Sequence, residues 1–164
     1  MRLNRTLHAI VSAALVGALP LAGSTLSARA KRGAGSAVTA EAIIAADGAN
    51  WLSHGRTYDE QRFSPLDRIN TGNVGQLGLA WYADMDTARG QEATPLVIDG
   101  RIDSSTAWSK AKAYDARTGK LLWAFDPQVP GETAVKGCCD VVSRGLAAWG
   151  DKLYLATLVT GEPV

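Results

Sequence analysis

Cysteine and histidine are scarce, two of each in 164 residues. The cysteines are adjacent, Cys138 and Cys139, so no Cys-x-x-Cys-His run for haem attachment and no paired-cysteine zinc set can be built. His54 stands beside Gly55 with no second ligand at metal spacing, and it reads as a hydrogen-bonded loop residue. Excess charge is lacking as well. Seventeen basic residues face sixteen acidic ones, which gives no electrostatic reason for nucleic acid or an anionic membrane to be a partner. The longest apolar run, Leu7 to about Gly23, is interrupted by His8 and Pro20 and is short for a membrane span.

What is present begins with an export pattern. Arg2 and Arg5 precede that apolar run, and Ser27-Ala28-Arg29-Ala30 offers a small-x-small site with cleavage after Ala30. An uncleaved anchor is the alternative, and the small residues of the run count against it. No cysteine lies near the junction, so a lipoprotein anchor is not indicated. Residues 1–30 therefore read as a signal peptide whose loss removes three arginines and no acid, leaving a net charge of −2. Residues 31–46 read as a leader, Gly-, Ala- and Ser-rich at first, with one or two helical turns over Ala40 to Ala46. No membrane span is expected after cleavage, and the remaining chain is enough for one ordinary domain.

The adjacent cysteines admit two readings. Bonded to each other, they would close a ring across one peptide bond, where Cα atoms stand about 3.8 Å apart against the usual ~4.4–6.8 Å of a disulfide. Such a bridge closes almost no loop, so it stabilises little and points to a local task. The other reading is two small apolar residues side by side. Export favours the bridge, because each thiol has only the other as partner within the chain; an intermolecular bridge is the remaining option.

From Leu79 onward the chain is a series of short apolar runs broken by turn residues. Strands are expected at Leu79–Ala83, Thr94–Ile98, Ile102–Ala107, Ala111–Tyr114, Leu121–Phe125, Gly145–Ala148 and Leu153–Leu158. No helix is expected between them and turns (Asp99-Gly100, Thr118-Gly119, Gly150-Asp151) mark the reversals, so the sheets are antiparallel and the class is all-β. Before them, Asn70 to Leu77 makes at most a capped helical turn. Ala113 to Trp123 has the form A-x-D-x-x-T-G-K-x-x-W. Here the Ala permits close packing, the Asp accepts backbone N–H groups, Thr-Gly reverses the chain, and the Trp covers a junction between sheets. The end of the chain reads as a shortened second copy, with Lys152–Thr157 matching Arg101–Thr106 and Thr160-Gly161 arriving about nine residues early.

The A-x-D-x-x-T-G-K-x-x-W segment resembles the tryptophan-docking motif of pyrroloquinoline-quinone (PQQ) dehydrogenase propellers. Asn50-Trp51, His54-Gly55-Arg56, Arg62 to Leu66, Asn73-Val74, Leu79-Ala80-Trp81, Gly90 to Val97, Ser105 to Ser109 and Cys138 to Gly145 extend the likeness in order and spacing. Together they resemble the N-terminal part of the periplasmic PQQ-dependent alcohol dehydrogenases. The resemblance implies that residues 47–164 are about the first two blades of an eight-bladed β-propeller. It also implies a periplasmic location, PQQ with Ca²⁺ or a lanthanide as cofactors, an alcohol as substrate and a cytochrome-type electron acceptor as partner. On this chain it places Cys138 and Cys139 as a disulfide flat against the quinone, Glu92 at the cofactor's edge and Arg144 on its oxygens.

Departures accompany the likeness. Ser143 stands where the family usually has Asn, and Ile102-Asp103-Ser104 replaces an apolar strand, which makes Asp103 awkward inside a blade. The family's metal ligands, catalytic aspartate and opposite-face tryptophan would lie beyond Val164, so no catalytic or metal residue is assigned here. The expectation is a partial dehydrogenase, inactive alone, that does not hold PQQ stably. A non-enzymatic exported propeller that binds proteins is the rival, and the Cys138, Cys139, Glu92 and Arg144 set counts against it.

Overall fold

Two tight reversals set the architecture. At Asp99-Gly100 both residues take positive φ (49° and 76°), the conformation that a two-residue hairpin of twisted strands requires. This turn joins β1 (Leu96–Ile98) to β2 (Arg101–Thr106), pairing Ile98 with Arg101 and Leu96 with Asp103. The structure is a computed structural model that describes residues 37–136 and 138–158, apart from the Cys138 side chain. The signal peptide, the first residues of the leader, Gly137, the thiol pairing and the Thr160-Gly161 end of the second copy lie outside the described residues.

β3 (Lys110–Asp115) and β4 (Leu121–Phe125) complete a four-stranded antiparallel meander in the order β1-β2-β3-β4. The turn between them follows the docking motif. Asp115 Oδ1 accepts from the N–H groups of Arg117 (3.1 Å) and Thr118 (2.8 Å) and from the Thr118 hydroxyl (2.8 Å). These bonds, led by that of the Thr118 side chain, hold the Asp115 carboxyl below the ordinary range. β5 (Cys138–Val141) follows, and β6 (Ala147–Trp149) with β7 (Lys152–Tyr154) forms a second hairpin whose register repeats that of β1–β2. Trp149 pairs with Lys152 as Ile98 pairs with Arg101, so Tyr154 occupies the place that Asp103 holds in the first sheet. The repeat seen in sequence is thus one complete sheet and the opening hairpin of another.

The core lies where the sheet meets the second hairpin. Leu96, Ile98 and Ala111 pack with Leu146, and Ala148, Leu153 and Trp123 add partly buried surface. Each large aliphatic side chain withdrawn there contributes about 1.5–3 kcal/mol. Val38 and Ile43 close one end of this core. Val38 exchanges backbone hydrogen bonds with Gly150 (2.9 and 2.8 Å), and Thr39 caps helix α1 (Ala40–Ala45). The fold therefore takes in residues that the sequence assigns to the leader.

Three expectations need correction. Leu79–Ala83 joins no sheet among the described residues, and its Leu79 and Tyr82 are exposed. Its anchor is one side chain: Trp81 stacks on Tyr114 at 6.2 Å, donates from Nε1 to the Ala116 carbonyl (3.0 Å) and lies over Gly119. The tryptophan on this motif's glycine is thus Trp81, while Trp123 packs toward the core. β1 is shorter than expected, because Thr94 pairs with Gly145 instead of β2. Finally, β7 ends at Tyr154, which pairs with Ala147, the first residue of β6.

Candidate functional site

Three segments converge beside β5. Residues 89–94, which lead into β1, run next to residues 140–145, which leave β5. Arg89 Nη1 meets Asp140 Oδ1 at 3.1 Å, and a Cβ on Gly90 would stand 3.3 Å from Val142 Cγ1. Glu92 Oε2 lies 3.5 Å from Arg144 Nη2. Thr94 donates its N–H to the Arg144 carbonyl (3.4 Å) and forms a parallel bridge to Gly145. Gly145 sits at φ 143°, a region open to glycine, and this lets its backbone approach Thr94.

The third segment is the turn from β2 to β3. Ser143 Oγ donates to Ser105 Oγ (2.8 Å), and the Trp108 N–H donates to the Val141 carbonyl (2.8 Å). Trp108, Ser109 and Asp140 all hold positive φ without being glycine, so the convergence concentrates left-handed backbone. Residues of this kind persist where their surroundings over-determine them, and they cluster at functional sites.

Of the four residues singled out from sequence, the structure joins Glu92 to Arg144 directly. That pair is solvent-exposed, with side chains 46% and 74% accessible, so it contributes on the order of 0.2–1 kcal/mol to stability. Its arrangement leaves the guanidinium open to a ligand. Cys139 is exposed and adjoins Asp140, which ties its strand to the Glu92 segment through Arg89.

Arg144 also lines an open cleft of about 750 Å³, together with Ser109, Ser143, Tyr154 and Thr157 and the apolar Val142, Leu146, Leu155 and Leu158. Neither Glu92 nor Cys139 lines it. His54 does, and its Nε2 lies 2.7 Å from Arg62 Nη2, which agrees with a hydrogen-bonded loop residue. Among the described residues no group of three His, Cys, Asp or Glu is placed to hold a metal. None of the helices among them is long and apolar enough to cross a membrane. Sequence reasoning did not single out Arg89, Trp108 or Asp140. Their order along the chain carries no spacing signal, because they meet only through the fold.

Comparison with known proteins is consistent across methods. Residues 51–159, more than half of the chain, match the PQQ family model described as the glucose/ethanol/alcohol dehydrogenase β-propeller domain. A quinone alcohol dehydrogenase, dehydrogenase subunit, from Komagataeibacter europaeus is 55% identical over 156 residues, covering 94% of this chain and 21% of the relative. The chain thus spans about a fifth of the length of that curated relative. Among solved structures, the quinohemoprotein alcohol dehydrogenase ADHIIG of Pseudomonas putida HK5 superposes with a TM-score of 0.72 at 49% identity, covering 75% of this chain and 18% of that one. A europium-containing methanol dehydrogenase gives 0.65 at 30% identity, covering 71% and 21%.

Proposed function

The chain belongs to the PQQ β-propeller family of glucose, ethanol and alcohol dehydrogenases, and from that premise we propose that residues 89–145 form one wall of a PQQ site in an alcohol dehydrogenase. The observation that carries this reading is the side-by-side course of the Glu92 and Arg144 segments next to the cysteine-bearing strand. The residues present fit such a ligand. PQQ is flat, with carboxylates at its edge, and Arg144 offers a permanently charged fork of donors that is three-quarters open to solvent.

In this role Cys138 and Cys139, bonded to each other, present a stiff surface that stacks on the ring and excludes water. Arg144 binds cofactor oxygens, and Glu92 both orients Arg144 and faces the cofactor's edge. When bound, PQQ supplies the acceptor for the hydride that leaves an alcohol carbon as aldehyde forms. The chain's own part is to bind, orient and desolvate. Ca²⁺ or a lanthanide would accompany PQQ in such a site. We further assign residues 1–30 to export into the periplasm, where the thiols oxidise, and a cytochrome-type protein to the role of electron acceptor.

The 164 residues alone do not catalyse the reaction. Purified chain mixed with PQQ, Ca²⁺ and ethanol leaves an electron-accepting dye oxidised, whereas sustained ethanol-dependent bleaching by sequence-verified protein would refute the assignment of a partial role.

A further inference from the structure

We propose that Arg89 is a positioning residue that sets the spacing between the segment carrying Glu92 and the strand carrying Cys138 and Cys139. Its guanidinium has two partners on two other segments. One is the Asp140 carboxylate at 3.1 Å, immediately after Cys139. The other is the Trp108 ring, over which the guanidinium lies at 5.8 Å. Trp108 in turn donates its N–H to the Val141 carbonyl (2.8 Å), so Arg89, Trp108 and the Asp140-Val141 pair form a closed triangle.

The geometry shows why this end needs a tie. The two segments are held at their far end by the Glu92–Arg144 pair and the Thr94–Gly145 bridge. Between the ends Gly90 only abuts Val142. At the near end Asp140 holds φ 65°, a left-handed conformation that costs a non-glycine residue, though less for Asp than for most, and that gains from an outside restraint. Arg89 supplies that restraint from the same segment that carries Glu92, three residues on. Arginine suits the place because a planar guanidinium can lie over the indole while directing N–H groups at a carboxylate; lysine can provide the charge without the plane. The functional consequence rests on the cofactor-wall reading: loss of Arg89 frees the cysteine strand to move relative to Glu92 although Arg89 reaches neither group. The clamp itself does not depend on that reading.

The test uses the full 164-residue chain as wild type, Arg89→Ala, Arg89→Lys and Asp140→Asn, with the Arg89→Ala/Asp140→Asn double variant. Backbone amide exchange is followed by segment, with β2 and β3 as the internal reference. Arg89→Ala, which loses both partners, should speed exchange across 138–145 by about tenfold, equivalent to about 1.4 kcal/mol, and Asp140→Asn, which loses only the half-exposed ion pair, by about threefold, with β2 and β3 unchanged. Lys should restore part of the protection, and the double variant should be no worse than Arg89→Ala alone. The Arg89→Ala change in tryptophan emission should vanish in a Trp108→Phe background. Unchanged exchange across 138–145, or equal acceleration in β2 and β3, overturns the proposal. PQQ binding by the wild type is measured in parallel. Its absence would count against the cofactor-wall reading and leave the exchange result to decide the role of Arg89.

Discussion

Asp103 offers the sharpest energetic test of the fold. The β-register places it opposite Leu96 on one side and Ala113 on the other, and all three are fully buried. Both carboxylate oxygens accept from Arg101 Nε, at 2.8 and 2.9 Å. Burial raises the Asp103 carboxyl above the ordinary range, and Arg101 offsets only part of that rise. Removing one partner of a fully buried pair costs about 3–5 kcal/mol; Arg101 is about one-third exposed, which brings the expected cost of Arg101→Ala to about 2–3 kcal/mol at neutral pH. The sign with pH follows from linkage. Because the folded pKa is raised, the native state binds more protons than the unfolded chain between the two pKa values. The wild type is therefore favoured by this group below the unfolded value and loses that advantage as pH rises through the folded one. Arg101→Ala raises the folded value further, so its penalty shrinks in acid. Asp103→Asn removes the dependence, and an Arg101→Met/Asp103→Leu pair should match or exceed wild-type stability. Urea unfolding followed by far-UV circular dichroism at pH 4.5 and 7.5 measures each variant. An Arg101→Ala loss of equal size at both values would refute the reasoning, since the buried charge would then not be its source.

Two further outcomes follow from close contacts. Gly119→Ala places a Cβ 2.6 Å from the Trp81 ring at a backbone φ of 72°, so it should cost about 2 kcal/mol and shift tryptophan emission to longer wavelength, read by thermal melting and fluorescence. Ser143→Ala removes the partner of the buried Ser105 hydroxyl and should cost about 1 kcal/mol, read by urea unfolding; a null effect would mean that water replaces the bond.

How much of this was legible in sequence depended on whether the signal was local. Leu121–Phe125 and the Asp115 turn were readable because a short apolar run bounded by turn residues, and the turn chemistry itself, act over a few residues. Asp103 was recognisable as a burial problem, and the structure supplies its partner two residues away, on the same face of β2. Leu79–Ala83 has the composition of a strand but no paired neighbour among the described residues, and only Trp81 finds a place. Composition indicates what a segment can pair with, not whether a partner strand is there. Glu92 and Arg144 were named by resemblance, and the structure brings their side chains to 3.5 Å across more than fifty residues. The contacts of Arg89 with Trp108 and Asp140 escaped notice because an ion pair and a ring contact between distant segments leave no periodic trace.

Cofactor affinity in a complete propeller tests whether this chain builds one wall of a PQQ site. Residues 51–158 would replace their counterpart in the Komagataeibacter europaeus dehydrogenase subunit, and PQQ binding to the purified chimera would be titrated with and without thiol reductant. The account predicts binding comparable to the parent, weakening on reduction, and a further loss of about tenfold to a hundredfold for Arg144→Ala, as hydrogen bonds to a charged group are removed. A folded chimera whose PQQ affinity is indifferent to both Arg144→Ala and reductant would contradict it.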